Sequence, residues 1–301
     1  LALLRAAIGW RRGGFICDAS LTVADLCARL PARVRRDFIE PLCVAALNTP
    51  VAEASATVFL RVLQDALLGP PGSADLLLPR TDLGTLLPEP ALRWLRARGA
   101  TVHLGRRVDA LHRQAPHWRI EGEDFDHIVL ALPVPAMVQV LAASTAQSPL
   151  ADALRTWSAS AVALRHEAIA TVYALADSGL PAPMLALHAN DGAPAQFVFD
   201  RGALPESPAT RLLAFVASAA RTDGTTLEQS VLRQAQTQLG LAVRPLRTVT
   251  EKRATFACTP GLRRPPMRIA PGLLACGDFI DGPYPATLEG AVRSGVQAAE
   301  A

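Results

Sequence analysis

The sequence predicts a mixed α/β protein, α+β overall, built from two lobes. Half of its 301 residues are apolar, so the chain is long enough to bury a substantial core in each lobe. Residues 1–83 show helical patterns separated by prolines, whereas residues 163–218 show short strand patterns separated by turn residues. Near the end of the chain, residues 272–295 have the pattern of a strand, a loop and a helix. This order indicates one lobe with an α/β layer and another with an antiparallel sheet and helices.

Charge and cysteine content exclude several classes of protein. The 30 basic and 27 acidic residues give a formal net charge of +3, which is too weak and too evenly spread to indicate a nucleic-acid partner. The five cysteines stand far apart without a CxxC pair, and no histidine has metal-ligand spacing, so we expect no metal site. Such thiols are typical of a reduced cytoplasmic protein. Pro133 and Pro135 interrupt the longest apolar stretch, residues 128–143, and no transmembrane helix is predicted.

Local signals place the first helices. A helix over residues 23–30 is expected to begin at Thr22, and a second, apolar helix is expected to end near Asn48. The dipeptide Thr49-Pro50 is interpreted as the start of the next helix, because proline is favoured at the first helical position. Apolar residues then recur on one helical face over residues 58–67.

Strand patterns follow in two groups. In the first group, residues 100–104, 118–121 and 126–132 are predicted strands, and the apolar run 128–132 is expected to be buried on both faces of a sheet. The second group is expected to form an antiparallel sheet, and its strands are residues 168–174, 184–188, 196–200 and 212–217.

The C-terminal segment carries the most specific chemistry. A short apolar strand ends in Gly277-Asp278, and a proline-containing loop leads to a helix that opens near Thr287. A helix N-terminus presents unpaired amides to an anion or a carbonyl oxygen, and glycines allow close approach of a planar or phosphorylated ligand. Spacing alone leaves the plainer interpretation open, in which Thr287 only caps a helix and Asp278 only closes a turn.

This segment resembles the C-terminal part of the flavin amine oxidase and carotenoid desaturase superfamily, which has a strand, Gly-Asp, a loop, then Pro-x-x-hydrophobic-Glu-Gly-Ala and Ser-Gly on a helix. The resemblance implies an FAD cofactor, with the Gly-Asp pair beside the ribityl and pyrophosphate groups. It also implies that backbone groups at the start of the helix meet the isoalloxazine edge. The cofactor-binding residues implied here are Gly277, Asp278, Pro285, Thr287, Leu288 and Gly290.

A second region resembles the same superfamily. Residues 99–108 have its helix-glycine-strand pattern, and the strand after them ends in Ala131-Leu132-Pro133. By resemblance, the backbone of Val108 meets the adenine end of FAD, and the strand that ends at Ala131 and Pro133 passes near the cofactor. The resemblance therefore implies a Rossmann-like FAD-binding lobe assembled from separated segments, beside a substrate lobe with an antiparallel sheet and helices.

The predicted domain division alternates between these two lobes. We expect residues 1–83 to form the helical part of the substrate lobe and residues 84–143 the middle segment of the FAD-binding lobe. Residues 144–262 are expected to return to the substrate lobe with its antiparallel sheet, and residues 263–301 to complete the FAD-binding lobe.

Three further stretches resemble one branch of the superfamily, the hydroxysqualene dehydroxylases, which are squalene-associated desaturase-like enzymes of bacterial hopanoid pathways. These stretches are residues 40–50, 76–83 and 251–256. The resemblance implies reductive removal of a hydroxyl group from a long apolar isoprenoid substrate. Such a substrate partitions into lipid, so peripheral contact with the inner face of a membrane is compatible with a cytoplasmic location.

Asn48 and Arg80 are candidate substrate residues, and the resemblance is densest around Arg80. The plainer alternatives are a cap of the next helix for Asn48 and Thr49 and a surface ion pair for Arg80. Lys252 is weighed as a catalytic residue against a solvated strand edge, which its charged neighbours favour. No residue is predicted to be the general acid.

One departure from the superfamily pattern matters. Its members begin with a strand and a G-x-G-x-x-G turn that binds the pyrophosphate, and no such motif occurs in these 301 residues. If the pattern holds, a segment of roughly a hundred residues is missing. That segment or a partner chain is then expected to supply the pyrophosphate contacts, and the C-terminal segment of this chain those of the isoalloxazine and ribityl end. Two alternatives therefore stay open: an amine oxidase or carotenoid desaturase, and a truncated, non-catalytic fragment.

Overall fold

A computed structural model describes residues 1–145, 150–203, 211–221 and 224–301. The chain divides into two compact units, each made of two separated segments. Unit 1 contains residues 1–104 and 167–255, and unit 2 contains residues 105–166 and 256–301.

The helices follow one another along the chain with short π-helical turns after three of them. In chain order they are α1 Ala2–Arg12, α2 Val23–Leu26, α3 Ala32–Val34 with the π-helical turn Arg35–Ile39, α4 Glu40–Leu47, α5 Ala56–Val62 with the π-helical turn Leu63–Leu67, α6 Leu83–Leu86, α7 Pro88–Arg96, α8 Val134–Thr145, α9 Ala151–Val162, α10 Gly224–Gln234 with the π-helical turn Ala235–Leu239, and α11 Leu288–Glu300.

The strands form three sheets among the described residues. In chain order they are β1 His112–Gln114, β2 His117–Ile120, β3 Glu123–Phe125, β4 Ile128–Leu130, β5 His166–Ala176, β6 Met184–Ala186, β7 Phe197–Asp200, β8 Leu212–Ser218, β9 Val243–Phe256, β10 Arg268–Ala270 and β11 Leu273–Ala275.

Unit 1 is built around the five-stranded sheet with the order β6-β7-β8-β5-β9. The pairs β6/β7, β7/β8 and β5/β8 are antiparallel, as the sequence predicts for this region. Apolar side chains of the sheet and of α10 share one core, because alternate residues of each strand point to the same face. Its fully buried members include Val172, Val198, Leu213, Phe215 and Val231.

The helix ends in unit 1 correct one prediction. Thr22 caps α2 in a reciprocal capping box with Asp25, as expected. Thr49-Pro50, however, does not start the following helix. The hydroxyl of Thr49 donates to the carbonyl of Leu47 (2.8 Å), residues 51–53 form a turn, and α5 begins only after Ser55, which caps it.

Unit 2 contains a small antiparallel sheet, β1-β2-β3, and a mixed sheet with the order β10-β11-β4. In the mixed sheet, β11 is antiparallel to β10 and parallel to β4. Helix α9 packs on α8 and on β10. The parallel pair β4/β11 brings the carboxyl ends of two strands to one edge, where the candidate site lies.

Two strand predictions were wrong in detail. Residues 100–104 form no strand, and the side chain of Leu104 is 78% exposed. The strand β4 is not buried on both faces, because Val129 is 42% exposed between the buried Ile128 and Leu130. Its alternating burial is typical of a strand with one face in a core.

The unit boundaries differ from the predicted domain boundaries. The sequence places changes of lobe after residues 83, 143 and 262, whereas the units change after residues 104, 166 and 255. Helix α7 belongs to unit 1, and α9 belongs to unit 2 because it packs on α8. Which unit takes the cofactor and which the substrate stays a prediction.

Candidate functional site

The edge of the mixed sheet in unit 2 gathers the strand ends that the sequence singles out. Ala275 of β11 pairs in parallel with Leu130 of β4, and the amide of Cys276 donates to the carbonyl of Leu130 (2.9 Å). Ala131 and Gly277, the residues next in line, therefore leave the sheet at the same edge. Ligands of open α/β sheets bind outside the carboxyl ends of parallel strands, so this edge is the natural place for a cofactor.

A loop over residues 277–287 connects this edge to α11. Hydrogen bonds join its two ends to each other and to the helix. The buried hydroxyl of Ser294 on α11 accepts from the amide of Gly277 (2.9 Å). At the other end of the loop, the amide of Ala286 donates to the carbonyl of Asp278 (3.2 Å). The N-terminus of α11 is thus held close to the end of β11.

Thr287 caps α11, as the sequence predicts. Its hydroxyl accepts from the amide of Gly290 (3.0 Å) and donates to the carbonyl of Tyr284 (2.9 Å). The amide of Ala291 makes the first backbone hydrogen bond of the helix, to the carbonyl of Thr287. The first two amides of the helix, those of Leu288 and Glu289, have no acceptor in the described part of the chain. They remain available to a ligand at the positive end of the helix dipole.

Two glycines allow close packing at this site, Gly290 against backbone and Gly277 against a side chain. A Cβ atom on Gly290 would lie 2.0 Å from the carbonyl oxygen of Tyr284, and a Cβ on Gly277 would lie 2.5 Å from the ring of Phe279. Gly277 also has a φ of +156°, which strongly favours glycine. Close backbone approach together with two unpaired amides fits a planar flavin and its ribityl chain, so the residues present suit the cofactor that the resemblance implies.

Aromatic packing supports the loop from below. Phe279 and Ile280 are buried, and the ring of Phe279 meets Trp157 of α9 edge-to-face, with 6.4 Å between centroids. The indole nitrogen of Trp157 donates to the carbonyl of Pro266 (2.7 Å). The loop therefore packs on α9, and α9 in turn is hydrogen-bonded to the segment that precedes β10.

Asp278 is a half-buried carboxyl group at the start of this loop. Burial raises the pKa of Asp278, and the backbone amides of Asp278 and Phe279, together with His166 and Arg264, act in the opposite direction. A raised pKa means that the folded protein disfavours the carboxylate. Stability from this residue is therefore complete at acid pH and is lost as pH rises through the pKa of the folded state.

The variant Asp278→Asn tests this assignment. We expect it to unfold at a higher temperature than the wild type at pH 7.5 in the absence of flavin, because it removes a buried charge. The difference should shrink as the pH falls through the pKa of the folded state and vanish near pH 2, roughly two units below the ordinary pKa of an aspartate, where the carboxyl group is neutral in both states. Thermal unfolding followed at several pH values measures this. An Asn variant that is less stable than wild type at pH 7.5 would contradict the burial of an ionised carboxyl group.

The remaining predicted cofactor residues also lie in unit 2. Val108 is partly buried, and a little further along the chain the amide of Leu111 donates to Ser144 of α8 (2.8 Å). Ala131 and Pro133 are exposed between β4 and α8, where the carbonyl of Pro133 accepts from the amide of Met137 in the first turn of the helix. Pro285 is half-buried in the loop before Thr287. Their contacts with FAD stay predictions.

The two candidate substrate residues lie in unit 1 and differ in environment. Asn48 is 3% exposed and ends α4 in the left-handed conformation. Its amide nitrogen donates to the hydroxyl of Thr255 (2.9 Å) and the carbonyl of Glu167 (3.3 Å), and its oxygen accepts from the amide of Ala219 (2.5 Å). Asn48 is therefore the C-cap of α4 and not a cap of the next helix, which Ser55 caps. Arg80 is exposed, as is Lys252 on β9.

Unit 1 also contains a cavity of about 510 Å³. It lies between α4, the loop that joins β6 to β7, and the end of β8. Its lining is mixed, with the charged residues Arg36, Glu40, Asp191 and Arg221 among apolar ones such as Val44 and Leu227.

Two residues of the site were not predicted from the sequence. Ser294 belongs to the Ser-Gly motif that the sequence shows, but the sequence does not show its hydrogen bond to Gly277. Arg264 has 9% of its side chain exposed and donates to the loop carbonyls of Ile280 and Gly282. No signal marks Arg264, because arginines occur throughout this sequence.

Comparison with known proteins places the chain in a family. A profile of the flavin containing amine oxidoreductase family matches residues 26–301. The hydroxysqualene dehydroxylase of Rhodopseudomonas palustris is 31% identical over 276 residues, which cover 87% of this chain and 61% of that protein. The hydroxysqualene dehydroxylase of Sinorhizobium fredii is 29% identical over 274 residues, which cover 88% and 61%. The chain thus spans 61% of the length of either relative.

The fold is shared with a solved structure. An oxidoreductase from Methanosarcina mazei matches with a TM-score of 0.73, covering 100% of this chain and 72% of its own, at 16% identity. At that identity the likeness shows the fold alone, and it confirms the predicted fold class. The family profile confirms the superfamily and the cofactor predicted from the C-terminal segment. The chain belongs to the flavin containing amine oxidoreductase family, with FAD as its cofactor.

Proposed function

We propose that this protein is an FAD-dependent oxidoreductase that removes the hydroxyl group of hydroxysqualene reductively to give squalene. The observation that carries the proposal is the similarity of most of the chain to two curated hydroxysqualene dehydroxylases. Because the chain spans 61% of their length, the activity is proposed for the whole protein to which these residues belong.

The reaction sets physical requirements that the described site meets in part. The hydroxyl leaves as water after gaining a proton, and a hydride takes its place at carbon. Bound FAD in its reduced form supplies that hydride. The chain must hold the flavin in a defined position and keep water from the reacting carbon.

Contacts in unit 2 support the first requirement. The amides of Leu288 and Glu289 lie at the N-terminus of α11, and Gly290 allows the first turn to lie against the carbonyl of Tyr284. Ser294 ties the same helix to the end of β11 through Gly277. These contacts make the cofactor edge a preformed surface, which lowers the entropy lost when the flavin binds.

A direct assay tests the proposal. The whole protein, supplied with FAD and dithionite, is incubated with hydroxysqualene, and the lipid extract is analysed for squalene by mass spectrometry. We expect squalene to form only with the reduced flavin, and carbon-bound deuterium to enter the product when the flavin is reduced in deuterated water. Flavin binding without any squalene would contradict the proposed substrate.

The same preparation addresses the amine oxidase and desaturase alternatives. Those reactions run in the opposite direction, so an amine or a carotenoid precursor would bleach oxidised FAD. We expect no bleaching, since a cage for an amine needs aromatic rings and the chain has two tyrosines and four tryptophans. Of the tryptophans, Trp118 and Trp157 are buried in unit 2 with their nitrogens bonded to backbone carbonyls.

A further inference from the structure

We propose that Arg264 is a positioning residue for the cofactor site, which holds the loop over residues 277–287 in the shape that presents α11 to the flavin. The inference rests on the proposed flavin site in unit 2. It concerns a residue outside the strand, loop and helix that carry the motif, since Arg264 precedes β10.

The contacts of Arg264 are directed at the loop backbone. One terminal nitrogen of the guanidinium donates to the carbonyl of Ile280 (2.7 Å), and the other donates to the carbonyl of Gly282. The amide of Asp281, between these two residues, donates to the carbonyl of Pro265 (3.0 Å). Successive residues of the loop are thus tied to successive residues of the segment before β10.

The side chain of Arg264 is largely buried, although its carboxylate partner, Asp281, is exposed. Its side chain is 9% exposed, whereas its carboxylate partner Asp281 is 75% exposed and 3.4 Å away. Burial lowers the pKa of Arg264. A buried cation costs free energy unless it is closely paired, and backbone carbonyls neutralise it only in part. We therefore infer that the main role of Arg264 is to fix the conformation of the loop, and that its net contribution to the free energy of unfolding is small.

The position of the charge also affects the cofactor edge. Arg264 lies close enough to Asp278 to lower the pKa of that carboxyl group, against the effect of burial. The guanidinium lies 6.0 Å from the ring centre of Phe256, which limits its movement on the side away from the loop. Arg264 therefore acts on the loop in two ways, through the carbonyls that it binds and through the charge that it places beside Asp278.

The variants Arg264→Met and Arg264→Lys test the inference, and Arg263→Met is the matched control. Arg263 is the adjacent arginine and is exposed. Hydrogen–deuterium exchange of the full chain without flavin is measured on peptides that cover residues 277–287. We expect exchange there to rise on the order of tenfold in Arg264→Met, since a hydrogen bond to a charged donor changes an opening equilibrium by about that factor.

In Arg264→Lys, exchange of residues 277–287 should lie between that of wild type and that of Arg264→Met. A single ammonium group cannot reach two separate carbonyls in the fork geometry of arginine. Peptides from β7 and β8 of unit 1 should exchange as in wild type in every variant. Arg263→Met should match wild type throughout. If Arg264→Met fails to fold, Arg264→Lys decides: loop exchange equal to that of wild type in the lysine variant would overturn the proposal.

FAD titration of the same proteins, followed by quenching of flavin fluorescence, measures the consequence. We expect the dissociation constant to rise on the order of tenfold in Arg264→Met and less in Arg264→Lys. Faster loop exchange with an unchanged dissociation constant would overturn the role in cofactor positioning. If the wild-type chain binds no FAD, the proposed flavin site fails, and the exchange measurements still decide whether Arg264 holds the loop.

Discussion

Replacement of Gly290 by alanine is expected to abolish flavin binding and to destabilise unit 2. The new Cβ would lie 2.0 Å from the carbonyl oxygen of Tyr284, which is a backbone atom and cannot swing away as a flexible side chain can. Alanine favours a helix by about 1 kcal/mol over glycine, whereas overpacking against backbone costs on the order of 1–3 kcal/mol or more. We therefore expect a net loss of about 2 kcal/mol, with Tyr284 and the cap at Thr287 pushed apart.

Gly295 offers a matched control on the same helix. A Cβ atom on Gly295 meets no other atom within 4 Å, so Gly295→Ala should keep flavin binding and gain slightly in stability from helix propensity. Chemical denaturation and FAD titration of the two variants measure the effects. Equal behaviour of the two alanine variants would show that the close approach at Gly290 does not shape the site.

Replacement of Asn48 by alanine should have the largest effect on the stability of unit 1. Three hydrogen bonds from one buried side chain would be lost, leaving the amide of Ala219 and the carbonyl of Glu167 without this partner. The residue also has a φ of +47°, a conformation that costs alanine about 1 kcal/mol more than glycine. We expect a loss of about 3–5 kcal/mol, measured by urea denaturation.

Asn48→Gly separates the two causes, because glycine adopts the left-handed conformation without strain. It should recover about 1 kcal/mol of the loss and no more. This experiment also decides between the two interpretations of Asn48. If Asn48→Ala instead kept its stability and raised the KM for the substrate, a substrate contact would replace the helix-end role.

The C-terminal site could be predicted from sequence largely because its signals are local. The threonine cap of α11, the strand before Gly277 and the proline-containing loop all act within a few residues of the chain, and the structure has them where the pattern places them. The parallel pairing of β4 with β11, which assembles the site edge, joins residues far apart in the chain. This pairing was not predicted; the resemblance to a family implied only that both segments lie near the cofactor.

Other features depend on tertiary contacts and were missed. Thr49 has the right type and spacing for a cap, but a turn follows it and the helix begins at Ala56, so Ser55 takes the role. The long strand β9 was not predicted, because most of its residues are exposed and it lacks an apolar alternation. Arg264 is one arginine among many in the sequence, and only the folded loop shows which one is buried.

The presence of a flavin site in this chain is the central claim, and the visible absorption spectrum tests it most directly. The purified chain is mixed with FAD, freed of unbound flavin by gel filtration, and compared with Gly290→Ala and Gly295→Ala treated in the same way. We predict bound, oxidised flavin in the wild type and in Gly295→Ala, and none in Gly290→Ala. A wild-type chain that stays colourless after this treatment would contradict the claim.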